Sequence, residues 1–257
     1  MLAEERRRRL LVALSQNGSL TVAQAGRDLG VSRMTVHRDL DTLSADGLIR
    51  KVHGGAMAVP QPDEDAEPWA RPFHQRLAAA TKAKKAIARH LIRLTAGART
   101  LILDASSTAY AFGQCLPRDA GAEGLFLTSG GLPLFNLLVR RRDGLRVALT
   151  GGEPHPRTGS LVGPLALASL GEMRFDFAIF SCVGLMTYEG VAYDATPEEA
   201  EIKRAYLAHS RKAVLALDSS KLDFSAPYRL ADVSAFFAVV TEEGQFEPKK
   251  GALRPKR

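Results

Sequence analysis

The run GVSRMTVHRDLDTLSADGLIRKVHGGA, residues 30–56, decides how the N-terminal part of this 257-residue chain folds. Gly30 suits a tight turn. Ser32 can cap a helix running to about Ala45, and Gly47 stops it. Upstream, Thr21 and Gln24 have the form of a capping box that opens a helix through Leu29. Further back, Leu10, Leu11 and Leu14 fall on one face of a segment that follows Arg6–Arg9 and ends at Gly18. Downstream, LIRKVHGGAMAV mixes β-formers with the Gly54–Gly55 pair and predicts a small hairpin. Ala25–Gly26 allows two helices to approach closely, and Leu29, Val31, Val36, Leu40 and Leu43 can hold them together. Ser32, Arg33, Thr35, His37 and Arg38 are left at the leading edge of the third helix. Their hydrogen-bonding side chains suit base edges and flanking phosphates of a duplex. A small helical bundle with solvated charges would share this spacing. Arg38 is expected on a phosphate ahead of the alternative, a brace to Asp39 or Asp41, and His53 with Gly54–Gly55 could be a plain turn.

Charge is distributed unevenly around this segment. The chain carries a formal +7. Residues 1–58 hold an excess of three positive charges and residues 247–257 an excess of four, while residues 59–246 are neutral. Basic ends on a neutral body suit a polyanionic partner. The basic tail 247–257 is expected to be a solvated, disordered end. Residues 57–72, MAVPQPDEDAEPWARP, place Pro60, Pro62, Pro68 and Pro72 among acids, where neither helix nor sheet continues. The expected division is therefore 1–58, a Pro-rich linker 59–72, a body 73–246, and the tail. Cys115 and Cys182 form no CxxC or Cys/His cluster. That argues against a metal module and suits a reducing compartment. No apolar run reaches the roughly 18 residues of a membrane span, and no apolar signal core follows the N-terminal arginines. The expectation is a cytoplasmic protein with no membrane partner, no metal and no cofactor.

After the linker the pattern alternates. A helix from about Phe73 to Thr95 precedes TLILDA (100–105). Further strand-like runs are LFLTSG (125–130), RVALTGG (146–152), FDFAIFSCVGL (175–185), KAVLALD (212–218) and FFAVVTE (236–242), with helical stretches such as 132–141 and 197–210 between them. Apolar strands interleaved with amphipathic helices indicate an α/β fold with a mostly parallel sheet. Its ligands lie beyond the carboxyl ends of the strands. Those ends carry small polar groups: Asp104 to Thr108, Thr128–Ser129, Gly151–Gly152, Gly184, and Asp218 to Lys221. Hydroxyls at a helix start suit an anion, although Ser106 or Ser107 could simply cap the helix. Lys203, near Glu198, Glu199 and Glu201, could be an ordinary surface ion pair worth under roughly 1 kcal/mol.

Val31, Ser32, Thr35, Arg38, Asp39 and Leu40, followed by His53–Ala56, resemble the DNA-binding signature of DeoR-type bacterial transcriptional regulators. His37 departs from it, standing where the family usually has a second arginine. The rest of the chain follows the order of the family's sensor domain: Lys84, Ile87 and Ala88; Asp104-Ala-Ser-Ser-Thr108; Thr128–Ser129; Gly151–Gly152; Ser160–Gly163; Glu199 with Lys203; and Asp218–Lys221. Ser106 stands where glycine is usual and Ser129 where asparagine is usual. Ser106 puts a side chain where backbone should approach an anion, so the ligand that fits is shifted or lost.

The resemblance implies a winged helix-turn-helix joined to an α/β sensor domain similar to ribose-5-phosphate isomerase. Arg33, Thr35 and His37 are then expected on base edges and Thr21, Ser32 and Arg38 on phosphates, with His53 and Gly54 in the wing. For the effector, Ser106, Ser107, Thr108 and Lys221 are expected on an anion and Asp104 and Asp218 on hydroxyls. Thr128, Ser129, Gly151, Gly152, Gly184 and Lys203 would line the same pocket. The function so implied is a homo-oligomeric repressor of sugar-metabolism genes. Its affinity for double-stranded operator DNA would be set by a phosphorylated sugar or related metabolite. The alternative is a sugar-phosphate isomerase-like enzyme with an appended DNA-binding domain. An isomerase needs a carboxylate base beside the sugar, and Asp104 and Asp218 are the only obvious acids at strand ends.

Overall fold

The computed structural model describes residues 2–45, 48–58, 71–121, 124–141, 143–249 and 252–255. The chain divides into two compact units, Met1–Glu67 and Pro68–Arg257. Residues 59–70 of the expected linker lie outside the described residues.

In the first unit, helix α1 (Ala3–Asn17) ends at Gly18 in the left-handed region. Strand β1 (Ser19–Thr21) leads into helix α2 (Val22–Leu29), which the Thr21–Gln24 capping box opens and Gly30 closes at φ 62°. Helix α3 (Arg33–Ala45) follows, then strands β2 (Ile49–Val52) and β3 (Gly55–Ala58). The sheet order β1-β3-β2 shows a third strand that the sequence pattern did not suggest. Leu10 and Leu14 of α1, Val22 and Ala25 of α2, and Val36, Leu40 and Leu43 of α3 share one core with Leu20, Ile49 and Ala56. Burying these side chains, each worth about 1.5–3 kcal/mol when large and apolar, is what fixes α3 against α1 and α2.

The second unit is a three-layer α/β arrangement. Its main sheet runs β16-β15-β14-β12-β9-β4-β5-β6. The parallel strands are β4 (Thr100–Leu103), β5 (Phe126–Ser129), β6 (Arg146–Leu149), β9 (Phe175–Phe180), β12 (Ser210–Ala216) and β14 (Ala238–Thr241). Strand residues alternate between two cores, as a two-faced sheet requires. Leu101, Leu103 and Ile179 pack with helices α5 (Thr81–Leu94), α6 (Ser107–Cys115) and α7 (Leu132–Leu138). Ile102, Ala178 and Phe180 pack with α8 (Pro164–Leu170) and α9 (Pro197–Ala208). Between β6 and α8 lies the small hairpin β7 (Glu153–Pro154) and β8 (Leu161–Val162). A separate antiparallel sheet joins β10 (Gly184–Met186), β11 (Val191–Asp194) and β13 (Tyr228–Asp232). Strand order steps outward from β4 through β5 and β6 on one side, then restarts at β9 on the other. The β4/β9 junction is thus the topological switch point, where such sheets open a crevice.

Two expectations need correction. The single helix from Phe73 to Thr95 is two, α4 (Phe73–Ala78) and α5, because Ala79 is extended and Ala80 sits in the left-handed region at φ 50°. No glycine or proline marks this elbow. It is held from a distance, by the Lys84 ammonium donating to the Arg76 and Ala79 carbonyls. The tail is not a free end either. Strand β15 (Gly244–Lys249) pairs antiparallel with β14, and β16 (Ala252–Pro255) pairs with β15. Without them β14 would present an unpaired edge, and Phe246 adds apolar contact with the core around Val239.

Candidate functional site

The first unit presents one polar edge. Ser32 Oγ accepts from the Thr35 N–H at 3.2 Å and lies 2.9 Å from Thr35 Oγ1, so the two hydroxyls start α3 together. Arg33, Met34, His37 and Arg38 are exposed along the next turns, while Thr35 is half-buried and Val36 and Leu40 face the core. Both acids that could have braced Arg38 are engaged elsewhere. Asp39, 5% exposed, is gripped by both Arg6 Nε and Arg6 Nη2, the latter at 3.1 Å. Asp41 pairs with Lys51 on β2. Among the described residues the Arg33 and Arg38 guanidiniums therefore have no partner. Met34, 69% exposed on the same edge, has no counterpart in the sequence reading. Thr21 spends its hydroxyl on the α2 cap. His53 and Gly54 are exposed at the β2–β3 turn, where Gly54 takes φ 79°. Gly55 has a different reason to be glycine: a Cβ there would fall 2.3 Å from the Leu20 carbonyl oxygen of β1. The two glycines thus make a turn and a close strand contact.

The second unit holds a cavity of about 290 Å³ at the carboxyl ends of β4, β9 and β12. Asp104, Ser106, Ser107, Lys203, Asp218 and Lys221 all line it. The other six expected positions, Thr108, Thr128, Ser129, Gly151, Gly152 and Gly184, lie outside that lining. Several of these have packing or turn roles. Ser129 Oγ donates to the Gly131 carbonyl at 2.8 Å and accepts its N–H at 3.2 Å. A Cβ on Gly152 would meet the Val162 carbonyl oxygen at 2.7 Å, and one on Gly184 the Phe224 carbonyl oxygen at 2.0 Å. Thr108 and Thr128 are buried.

Within the cavity most polar atoms are mutually engaged. Asp104 ends β4, and its Oδ1 accepts from Ser106 N–H at 3.1 Å and Ser106 Oγ at 2.6 Å. Its Oδ2 accepts from the Ser181 N–H of the neighbouring strand end at 3.0 Å. Asp104 thereby ties the two sides of the switch point together. Ser106 also caps α6 by accepting from the Ala109 N–H at 3.0 Å. Lys203 is no surface lysine. It is 7% exposed, with Nζ 2.7 Å from Asp194, 3.7 Å from Asp104 and 3.8 Å from Glu199. Burial opposes its charge, but the three carboxylates outweigh burial and hold the ammonium above its ordinary range. Glu199 in turn accepts from Thr158 Oγ1 at 2.8 Å and Ser160 Oγ at 3.2 Å. Lys221 donates to the Cys182 carbonyl at 2.8 Å and to Ser181 Oγ at 3.1 Å. Burial holds it below its ordinary value.

Burial also lowers the Lys84 ammonium to about 8 from 10.5, with Asp218 opposing and Lys221 and Arg76 adding to the fall. Between those two values the unfolded chain binds the proton and the folded one does not. Stability contributed by this group therefore rises as pH climbs from about 8 to 10.5, and below 8 it is a constant penalty. Cys182, which burial pushes up to about 12, works in the other direction. A comparison with Lys84→Met separates the two. The stability of wild type relative to that variant, measured by urea unfolding, is expected to improve between pH 7 and pH 9.5. An unchanged difference would remove Lys84 as the source.

Arg71, Arg76, Arg157 and Asp194 also line the cavity and were missed in the sequence. Asp194 ends β11, whose sheet has no clear pattern, and Arg76 lies in a short helix with no motif around it.

Residues 6–61 match the model of the DeoR-like helix-turn-helix domain, and residues 79–243 that of the DeoR C terminal sensor domain. The chain belongs to the DeoR family. It is 28% identical over 242 residues to the glycerol-3-phosphate regulon repressor of Escherichia coli (strain K12), spanning 94% of this chain and 92% of that one. A lactose phosphotransferase system repressor of Staphylococcus epidermidis is 31% identical over 242 residues, covering 92% of this chain and 91% of its own. The structure of ribose 5-phosphate isomerase A from Methanocaldococcus jannaschii aligns with 54% of this chain and 53% of its own length, at 14% identity and a TM-score of 0.38. As a DeoR-family member the chain is a DNA-binding transcriptional regulator, not an enzyme. Among the described residues no helix is long and apolar enough to cross a membrane.

Proposed function

We propose that residues 1–58 bind operator DNA and that residues 73–246 sense a phosphorylated sugar or related metabolite, with 59–72 joining them. Helix α3 enters the major groove. Arg33, Thr35 and His37 meet base edges, Ser32 and Arg38 hold phosphates, and His53 and Gly54 serve the wing; Thr21, whose hydroxyl proton goes to Gln24, would hold a phosphate only by giving up that bond. The protein acts in the cytoplasm as a repressor, consistent with relatives named as repressors. It works as a homo-oligomer, because paired reading helices match two half-sites. The effector occupies the cavity at the β4/β9 switch point, with Ser107 and Lys221 toward its anion and Asp218 toward hydroxyls; Ser106 lines the same wall, but both its donors go to Asp104. Asp104 lines the same wall, but three of its acceptor positions are already filled.

The observation that carries this reading is the cavity. Lys84, Asp104, Asp194, Glu199, Lys203 and Asp218 of its lining are buried at the place where a sheet of this topology opens a crevice. Its volume falls near the lower end of ligand pockets, roughly 300–1,000 Å³, which suits a small metabolite. To change operator affinity the metabolite must prefer one of two conformations, since equal affinity for both shifts nothing. The test is a thermal-shift panel of sugar and polyol phosphates, followed by operator binding with each compound that stabilises the protein. A ligand at 100 times its Kd is expected to add about 2.7 kcal/mol and to alter operator affinity. Stabilisation by no member of the panel would defeat the sensor reading and leave the DNA-binding one intact.

A further inference from the structure

One cavity cation holds buried donors that its own neighbours leave unsatisfied. Arg76 projects from α4 into the lining, and its Nε and Nη2 are both buried without a hydrogen-bond partner among the described residues. A guanidinium is donor-only, and buried donors left unmade are costly and rare. The three lysines of the cavity are spent on the protein itself. Lys203 is held by Asp194, Lys221 by Ser181 and Cys182, and Lys84 by the Arg76 and Ala79 carbonyls. The acids have protein partners too: Glu199 accepts from Thr158 and Ser160, Asp218 Oδ1 from Ser220, and Asp104 from Ser106 and Ser181. Among the described residues no carboxylate reaches the Arg76 guanidinium at ion-pair distance, although Glu199, Asp104 and Asp194 act on it from further away. Its guanidinium rests instead against the Phe73 ring, 5.7 Å from the centroid.

The charge balance points the same way. On the buried floor Arg76, Lys84, Lys203 and Lys221 are matched by Asp104, Asp194, Glu199 and Asp218, while exposed Arg71 and Arg157 leave the mouth positive. At the start of α6, Ser106 Oγ already takes the Ala109 N–H that an anion could otherwise have reached.

We propose that Arg76 is the principal anion-binding residue of this cavity, gripping a phosphate monoester through Nε and Nη2 together. Two parallel N–H donors on a rigid fork match two oxygens of one phosphate, which a lysine cannot do. The inference rests on the sensor reading above and names the group that selects phosphorylated over unphosphorylated ligands. It also places that selection on α4, the first helix after residues 59–72.

The test uses full-length protein and the variants Arg76→Met and Arg76→Lys. Thermal unfolding is measured with glycerol 3-phosphate, glucose 6-phosphate, fructose 6-phosphate and inorganic phosphate, against glycerol, glucose and fructose as controls. Without ligand, Arg76→Met is expected to melt at or a few degrees above wild type, because it removes buried donors that have no partner. Its affinity for whichever phosphate stabilises wild type is expected to fall about 100-fold. Arg76→Lys keeps the charge but loses the fork and is expected to fall in between. An Arg76→Met variant that melts lower yet keeps its full phosphate response would make Arg76 a structural brace and overturn the inference alone. A wild type that responds to none of these phosphates would overturn both this inference and the sensor reading beneath it.

Discussion

Lys203→Met is expected to destabilise the α/β unit by about 3–5 kcal/mol, the cost of stranding buried charge when one partner of an ion pair is removed. Three carboxylates face the Lys203 ammonium, Asp194 at 2.7 Å and Asp104 and Glu199 within 3.8 Å. All three are buried. In the variant their mutual repulsion is no longer screened by water or by a cation at the centre. Arg76, which senses the same acids, takes up part of the loss and draws the value toward the lower bound. For a unit of this size each kcal/mol moves the melting temperature by about 2–4 °C, so the fall is large enough to read without extrapolation. The double variant Lys203→Met/Asp194→Asn is expected to recover part of it, since it removes the carboxylate nearest the lost charge. A single variant within about 1 kcal/mol of wild type would mean that the cluster behaves like a surface pair.

That cluster also shows where sequence reading stops. Lys203 stands among Glu198, Glu199 and Glu201 on a helix, a pattern that fits an exposed face as well as a buried one. Glu199 is a partner that the sequence already placed beside it, but Asp194 and Asp104 come from strand ends 9 and 99 residues away. Local devices were legible because their whole physics lies within four residues: the Thr21–Gln24 box, the Gly30 turn and the Gly54 hairpin. The parallel strands were legible because a strand buried on both faces is an apolar run. The α4–α5 elbow was not. Its Ala-Ala-Ala-Thr stretch favours helix, and what breaks it is a lysine further along that claims two carbonyls. Arg76 carries no local signal at all. Its significance is that Nε and Nη2 lack hydrogen-bond partners among the described residues, which only the assembled cavity reveals.

The same contrast between local and distant partners decides what Arg38 does. On the sequence it had two adjacent acids to pair with. In the folded unit Arg6 holds Asp39 across 33 residues and Lys51 holds Asp41, so Arg38 is left with its charge toward solvent. A phosphate is the partner an exposed, unpaired arginine beside a reading helix can gain on a duplex. Arg38→Ala is therefore expected to weaken binding to operator and to unrelated DNA alike. It should also flatten the slope of log K against log salt by about 0.9, the loss of one phosphate contact. Arg33, at the leading end of α3, is expected to act differently. Arg33→Ala should cost about 1–3 kcal/mol on the operator, with a much smaller loss on unrelated sequence and little change in salt slope. Neither residue contributes to the core of the unit, so both variants should melt with wild type. Fluorescence anisotropy with operator and scrambled duplexes at several salt concentrations separates the two outcomes. If Arg38→Ala leaves both duplexes bound as before, α3 does not present this edge to the backbone. If Arg33→Ala weakens both equally, its contact is to phosphate, and base reading passes to Met34 and His37, the other exposed side chains on the same face.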